Sequence, residues 1–289
     1  MTFSIIAVDP ERQEIGVAVQ SKFLAAGAVV PWARAGVGAV ATQSFTDVTF
    51  GDRGLELLRS GKSPDEVLSS LLEGDPQRKL RQVGIVAADG RSATFTGAEC
   101  LEWAGGSSGP GYAVQGNILA GPGVVDGLLV GFQRTPELPL ARRLVEALRE
   151  AQRAGGDRRG QEAAGLLVVA PNAGYGGNHD RMIDLRVDHH DQPIEELAKL
   201  LDIHQLLFGR TAPDDELPVV APLLRQVGEH LRTLGRAGDD ADDKDLWRRF
   251  YDWVLMENLE ERWLGDERVD RVVLDHLRAQ ADRARPATD

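Results

Sequence analysis

The sequence predicts an α+β sandwich followed by a small all-α C-terminal module. Three observations carry this expectation. Stretches with strand alternation lie next to one another in sequence (residues 2–8 with 14–20, 83–88 with 92–96, 164–170 with 182–187), as antiparallel pairs do. Helical patterns fall in blocks between these pairs and not after each strand, which argues against an alternating parallel βαβ array. From Pro193 onward only the helical period remains. A length of 289 residues with 42% hydrophobic content suits one large domain with an appendage. The change of character divides the chain into residues 1–210 and 211–289.

The elements follow from local signals. Asp9-Pro10-Glu11-Arg12-Gln13 is rich in turn formers and joins residues 2–8 to 14–20 as a hairpin, which brings Gln20, Ser21 and Lys22 level with Thr2. Gly27–Pro31 and Gly36–Gln43 read as a second strand pair separated by Trp32-Ala33-Arg34, and their small residues imply another layer packed close. Leu55, Leu57 and Leu58 mark a helix over Asp52–Arg59 that stops at Gly61. Ser63-Pro64-Asp65-Glu66 combines an N-cap serine, a proline at the first helical position and a capping-box glutamate ahead of Val67, Leu68, Leu71 and Leu72. Asp89-Gly90 between Val83–Ala88 and Ser92–Thr96 is a hairpin signal. Gly97–Gly111, dense in glycine, reads as loop. Helices follow from Val124 and from Thr135-Pro136, the second closed by Gly155-Gly156. In the tail, Pro193–Leu207 is helical and Pro213–Pro218 is a linker. Leu217 to Leu234 forms one apolar stripe, and two further helices carry Leu246 to Leu255 and Val269 to Leu277. The tail's aromatic residues read as core.

A net charge of −12 without any basic run excludes nucleic acid and anionic membrane surfaces as expected partners. No stretch is long and apolar enough to span a bilayer. The first apolar run is broken by Asp9 and Pro10 and has no positive cluster before it, so no secretory signal is read there. The single cysteine, Cys100, cannot close an intramolecular disulfide; a cytoplasmic location and a buried apolar role are expected. No cofactor is implied, since Gly105-Gly106 and Gly174–Gly177 match no phosphate-loop spacing. His189-His190 beside Asp184, Asp188 and Asp191 suggests metal chemistry. Adjacent strand residues point to opposite faces, however, so no metal site is predicted, and Asp184, Arg186 and Asp188 read as a charged ladder.

The chemistry is expected at Thr2. Its small side chain after Met1 is the circumstance in which the initiator methionine is removed, and a free N-terminal threonine holds nucleophile and base in one residue. An α-amino pKa of about 7.7 to 8.0 leaves a useful neutral fraction near neutrality.

Thr2-Phe3-Ser4-Ile5, Gly16 to Phe23, Ala33 to Gln43, Arg81-Gln82-Val83-Gly84, Phe95-Thr96-Gly97, Gln115-Gly116-Asn117 and Asp184 to Asp188 together resemble the bacterial family labelled DUF1028 over about residues 1–192. That family is grouped with the N-terminal nucleophile hydrolases, so the resemblance implies a four-layer αββα sandwich and a hydrolase, without naming a substrate. The tail, with Met256 to Trp263, resembles a helical module named for peptidoglycan binding. Only Thr2 is carried over from the resemblance.

Beside Thr2, the catalytic candidates are Lys22, whose ammonium would lower the amine pKa and orient Thr2, and Asn117 as an oxyanion donor. Ser21, Gln43 and Gln115 are candidate substrate contacts, and Arg34 and Arg81 candidate carboxylate anchors. The expected function is cleavage of a small amide-type bond. The alternative is a non-catalytic ligand-binding or assembly protein on the same fold, with cell-wall fragments bound by the tail. A homo-oligomer formed through the tail's apolar faces is also expected.

Overall fold

A computed structural model describes residues 2–285. The chain falls into two compact units, with the break after Leu201.

In the first unit, β1 (Thr2–Asp9) and β2 (Glu14–Ser21) form the expected hairpin, in register from Thr2 opposite Ser21 to Asp9 opposite Glu14. Next come β3 (Pro31–Arg34), β4 (Gly38–Ser44), α1 (Thr49–Arg59), α2 (Pro64–Leu72), β5 (Arg81–Ala87) and β6 (Ser92–Thr96). They are followed by β7 (Gly105–Gly109), β8 (Tyr112–Asn117), α3 (Gly123–Gln133), α4 (Leu140–Arg153), β9 (Ala163–Val169), β10 (Arg181–Val187) and α5 (Pro193–Phe208), of which the residues to Leu201 belong here. One sheet runs β10-β9-β2-β1-β8-β7 and the other β3-β4-β5-β6, every pairing antiparallel.

Side-chain alternation sorts the buried apolar residues into three clusters. Phe3, Ile5 and Ala7 of β1 pack with Leu128 of α3 and Leu144 and Leu148 of α4. Ile6 and Val8, on the opposite face of β1, pack with Ala39 and Ala41 of β4 and Val86 of β5, so the two sheets face each other. Val40, Val83 and Ile85, on the far side of the second sheet, pack with Phe50 and Leu55 of α1 and Val67 and Leu71 of α2. Thr2 and Ser4 are in phase with Ile6 and Val8 and therefore belong to the space between the sheets. The helix starting at Pro64 has its capping box: Ser63 N–H donates to Glu66 Oε2 at 2.7 Å, and Glu66 N–H to Ser63 Oγ at 3.4 Å.

Three expected elements are corrected. Gly27–Pro31 is not a strand: residues 26–28 make a 3-10 turn, and Trp32-Ala33-Arg34 belongs to β3. The turn lies flat on the first sheet because Gly27 and Gly165 meet backbone to backbone, where a Cβ on Gly27 would stand 3.1 Å from Gly165 Cα. Within Gly97–Gly111, β7 extends the first sheet at its edge, next to β8; its Gly and Ser residues carry no strand propensity, and pairing alone shapes them. The linker over Pro213–Pro218 contains β11 (Glu216–Pro218), which pairs with β12 (Arg268–Asp270), so the tail is helical apart from one short ribbon.

The second unit holds α6 (Ala221–Thr233), α7 (Asp243–Met256) and α8 (Arg271–Ala284) around Val227, Leu231, Phe250, Trp253, Val254 and Leu277. Its aromatics are largely core, as their spacing suggested. Arg262 and Asp270 form a buried ion pair at 2.5 Å, with side chains 6% and 0% exposed. Arg262 also donates to the carbonyls of Leu206 and Gln205, and Asp270 caps α8 by accepting from Val272 N–H.

Candidate functional site

Antiparallel pairing gathers strand ends. The start of β1 lies between the end of β2 and the end of β8, so Thr2 has Ser21 as one register partner and Asn117 as the other. Thr2 Oγ1 is 2.9 Å from Ser21 Oγ, and either hydroxyl can donate. Ser21 Oγ also accepts Phe23 N–H at 3.0 Å. Thr2 is 7% exposed and its neighbours Ser21 and Asn117 are buried, yet Thr2 and Ser21 both line a cleft of about 480 Å³. Lys22, Phe23, Ala26, Val29, Val30, Phe45, Val48 and Arg159 form much of the rest of that cleft.

Beneath Thr2 the two sheets are joined by amides. Gln43 Nε2 donates to Thr2 O at 3.3 Å and to Gln82 Oε1 at 2.8 Å, and Asn117 Nδ2 donates to the same Gln82 oxygen at 2.9 Å. Gln82 Nε2 donates to Gly116 O at 2.7 Å and Thr96 Oγ1 at 2.9 Å. Gln115 Nε2 donates to Ser4 Oγ at 2.7 Å, and Ser4 Oγ to Gln43 Oε1 at 2.6 Å. Gly84 leaves room for this network, since a Cβ there would stand 2.2 Å from Gln115 Oε1. A chain of neutral, mutually satisfied amides fixes side-chain orientation without placing a charge in the core.

The 157–162 loop closes the same end. Asp157, its side chain fully buried, accepts Lys22 N–H at 3.0 Å and Arg159 N–H at 2.8 Å. Burial pushes its carboxyl pKa up, opposed by the Arg159 and Lys22 backbone donors. Lys22 Nζ donates to Gln161 O at 3.0 Å and to Glu162 at 2.8 Å, and Glu162 also meets His189. Hydrogen bonds from Lys22 and then His189 hold the Glu162 carboxyl below the usual range.

Of the residues singled out from sequence, the fold brings Thr2, Ser21, Lys22, Gln43, Gln115 and Asn117 to one end of the sheets. Lys22 shares the cleft with Thr2, but its ammonium donates to the Gln161 carbonyl and the Glu162 carboxylate. Arg34 and Arg81 are not brought to the cleft. Arg34 pairs with Glu56 at 2.6 Å on the other sheet. Arg81 is buried, bound to Asp75 through both Nε and Nη2, and donates to Phe45 O; its guanidinium lowers the Asp75 carboxyl pKa. Cys100 is buried, with Sγ 3.4 Å from Arg81 O. Asp184 meets Arg181 at 3.0 Å and Arg186 at 3.6 Å, and no group of three or more His, Cys, Asp or Glu side chains is arranged to hold a metal ion among the described residues. Whether Met1 is removed lies outside the described residues.

Sequence reasoning missed Ser4, Gln82 and Asp157. Ser4 is in phase with Thr2, and Gln82 is the register partner of Gln43, so period-two counting was the available signal for both. Asp157 had none, because the N–H it accepts from Lys22 is 135 residues away in sequence.

The chain belongs to the DUF1028 family, described as a family of unknown function, whose model matches residues 2–197. A second model, described as "Putative peptidoglycan binding domain", matches residues 207–277. Among solved structures the chain is similar to a protein from Silicibacter pomeroyi whose crystal structure bears the same DUF1028 label. The two are 30% identical with a TM-score of 0.64, over 71% of this chain and 89% of that one. No curated protein matches the chain. No described helix is long and apolar enough to cross a membrane.

Proposed function

We propose that this protein is an N-terminal nucleophile hydrolase of small amides, in which removal of Met1 frees the Thr2 amine. The single observation behind this reading is the position of Thr2. Its hydroxyl sits at the end of a central strand, 2.9 Å from Ser21 Oγ and lining a cleft of small-molecule size. Two facing sheets with helix-packed outer faces support assignment to the four-layer αββα sandwich of that class.

In the proposed reaction the neutral Thr2 amine takes the Oγ1 proton, directly or across Ser21, while Oγ1 bonds to the amide carbon. One Asn117 N–H is committed to Gln82; the other is assigned to the developing oxyanion. The C–N bond then breaks, the leaving nitrogen takes the proton from the Thr2 ammonium, and water hydrolyses the Thr2 ester to free acid and hydroxyl. Lys22, its ammonium held by Gln161 O and Glu162, has its part here through its backbone N–H, which ties the end of β2 beside Thr2 to Asp157. Arg34 and Arg81, each ion-paired outside the cleft, have no step here.

The match over residues 207–277 favours a second reading, in which the tail binds cell-wall fragments. Retention of the full-length chain on insoluble murein, lost on deletion of the tail, is its expected signature.

The deciding experiment is the intact mass of protein from a processing-competent host, followed by a screen of small amides with Thr2→Ala alongside. Loss of Met1 and amide turnover absent from Thr2→Ala are expected. Retained Met1, or undiminished turnover by Thr2→Ala, would overturn the hydrolase.

A further inference from the structure

A buried carboxylate stands across the open end of β1. We infer that Asp157 binds the α-ammonium of Thr2 and holds that amine beside Oγ1; the inference rests on the Thr2 reading above, and so on removal of Met1.

Contacts on both flanks fix where Asp157 stands. β1 runs between β2 and β8, so a residue that joins the end of one to the continuation of the other passes in front of Thr2. On the β2 side, Ser21 O accepts Glu162 N–H at 3.1 Å, which turns that carbonyl toward β9. Across a trans peptide the next N–H points the opposite way. Lys22 N–H thus faces the line of β1, and Asp157 Oδ2 accepts it at 3.0 Å. On the β8 side, Leu119 forms an antiparallel bridge with Asp157, and Ala120 N–H donates to Gly156 O at 3.1 Å. Thr2 is opposite Ser21, and Lys22 is one residue further along β2, a step of about 3.3 Å. The carboxylate is therefore about one residue step ahead of Thr2 on its own strand line, where a freed amine begins the chain.

The surroundings of this carboxylate suit a cation. Its side chain is fully buried, and of about four hydrogen bonds that its oxygens can accept, two come from the N–H groups of Lys22 and Arg159. The Arg159 guanidinium pairs with it at 3.6 Å from a side chain 46% exposed. The Lys22 ammonium is held by Gln161 O and Glu162, and Glu162 also meets His189. Ser21, Gln43 and Asn117, around Thr2, carry no charge. Burial outweighs these donors and pushes the Asp157 carboxyl pKa up, so a further positive charge at the head of β1 would be favoured there.

The pair completes a series of hydroxyl, amine and carboxylate. When Oγ1 gives its proton to the amine, Asp157 keeps the amine in place and faces the ammonium that results, as the acid of a nucleophile–base–acid triad orients its base. Asp157 touches no reacting atom of the substrate and acts as a positioning residue. A neighbouring carboxylate also raises the ammonium pKa above its ordinary value of about 7.7 to 8.0, so the neutral amine is gained on the alkaline side.

The test uses full-length protein labelled with [15N]threonine, its loss of Met1 checked by intact mass, and follows the Thr2 amine by 15N NMR as pH is raised. The midpoint should lie above about 8.0 in the wild type. In Asp157→Asn, which keeps an oxygen for Lys22 N–H, it should fall by about one pH unit. A carboxylate that only ties down the Lys22 and Arg159 N–H groups would leave the midpoint in the ordinary range, so the wild type alone decides the matter if the variant does not fold. A wild-type midpoint at or below about 8.0, or one unchanged by Asp157→Asn, overturns the role of Asp157 and leaves the nucleophile standing. Retained Met1 overturns the nucleophile and this inference with it.

Discussion

Gln82→Leu removes the amide on which the site's scaffold converges. Gln82 Oε1 accepts from both Gln43 and Asn117, and its Nε2 donates to Gly116 O and Thr96 Oγ1. Leucine fills similar volume but answers none of these groups. Gln43 and Asn117 are 1% and 2% exposed, so their N–H groups cannot turn to water. Each buried group left unpaired costs about 1–3 kcal/mol, so two donors and the Gly116 carbonyl together amount to about 3–9 kcal/mol. For a unit of this size that corresponds to a fall in Tm of roughly 6–36 °C. Urea unfolding of Gln82→Leu against wild type, followed by far-UV circular dichroism, measures it. Gln43→Leu/Gln82→Leu should lose clearly less than the sum of the single losses, because the groups each orphans are partly removed together. A single-mutant loss under about 1 kcal/mol, or strict additivity of the pair, would show that the amides are independently solvated and that the network does not hold Thr2 in place.

Three further outcomes are expected. Asp270→Ala leaves Arg262 buried without its countercharge and α8 without its cap, at a cost of about 3–5 kcal/mol, whereas Arg262→Met/Asp270→Leu should recover most of it in the same urea titration. His230 is 8% exposed, neither ring nitrogen has a hydrogen-bond partner among the described residues, and burial lowers its pKa below 6.5. The unfolded chain then binds the proton more readily, so stability falls as pH drops below about 6.5, by at most about 1.4 kcal/mol per pH unit, until the lowered folded pKa is reached. His230→Gln should flatten that part of the Tm-versus-pH curve, and an unchanged difference between pH 7.5 and 5.5 would contradict it. Gln20 is fully buried and neither amide atom has a hydrogen-bond partner among the described residues, so Gln20→Met should raise stability by about 1–2 kcal/mol by thermal melt; destabilisation would mean that the amide is satisfied after all.

What the sequence determined by itself is what local chemistry settles. The turn at Asp9-Pro10 and the alternation on either side set Thr2 opposite Ser21, and Ser63 with Glu66 set the start of α2. The helical spacing in the tail likewise marked Phe250, Trp253 and Leu277 as core. Tertiary structure alone decided the rest. β7 is a run of glycines and serines that becomes a strand because β8 offers it hydrogen bonds. Gln43 meets Gln82 and Asn117, and Lys22 meets Asp157, only once the sheets face each other and the loop after α4 folds over their end. Arg34 and Arg81 looked equally suited to a carboxylate, and folding gave each an internal one, Glu56 and Asp75. Periodicity reports which face a residue lies on, because backbone geometry is local. Which buried donors find which acceptors depends on how distant segments stack, and no window of sequence contains that distance.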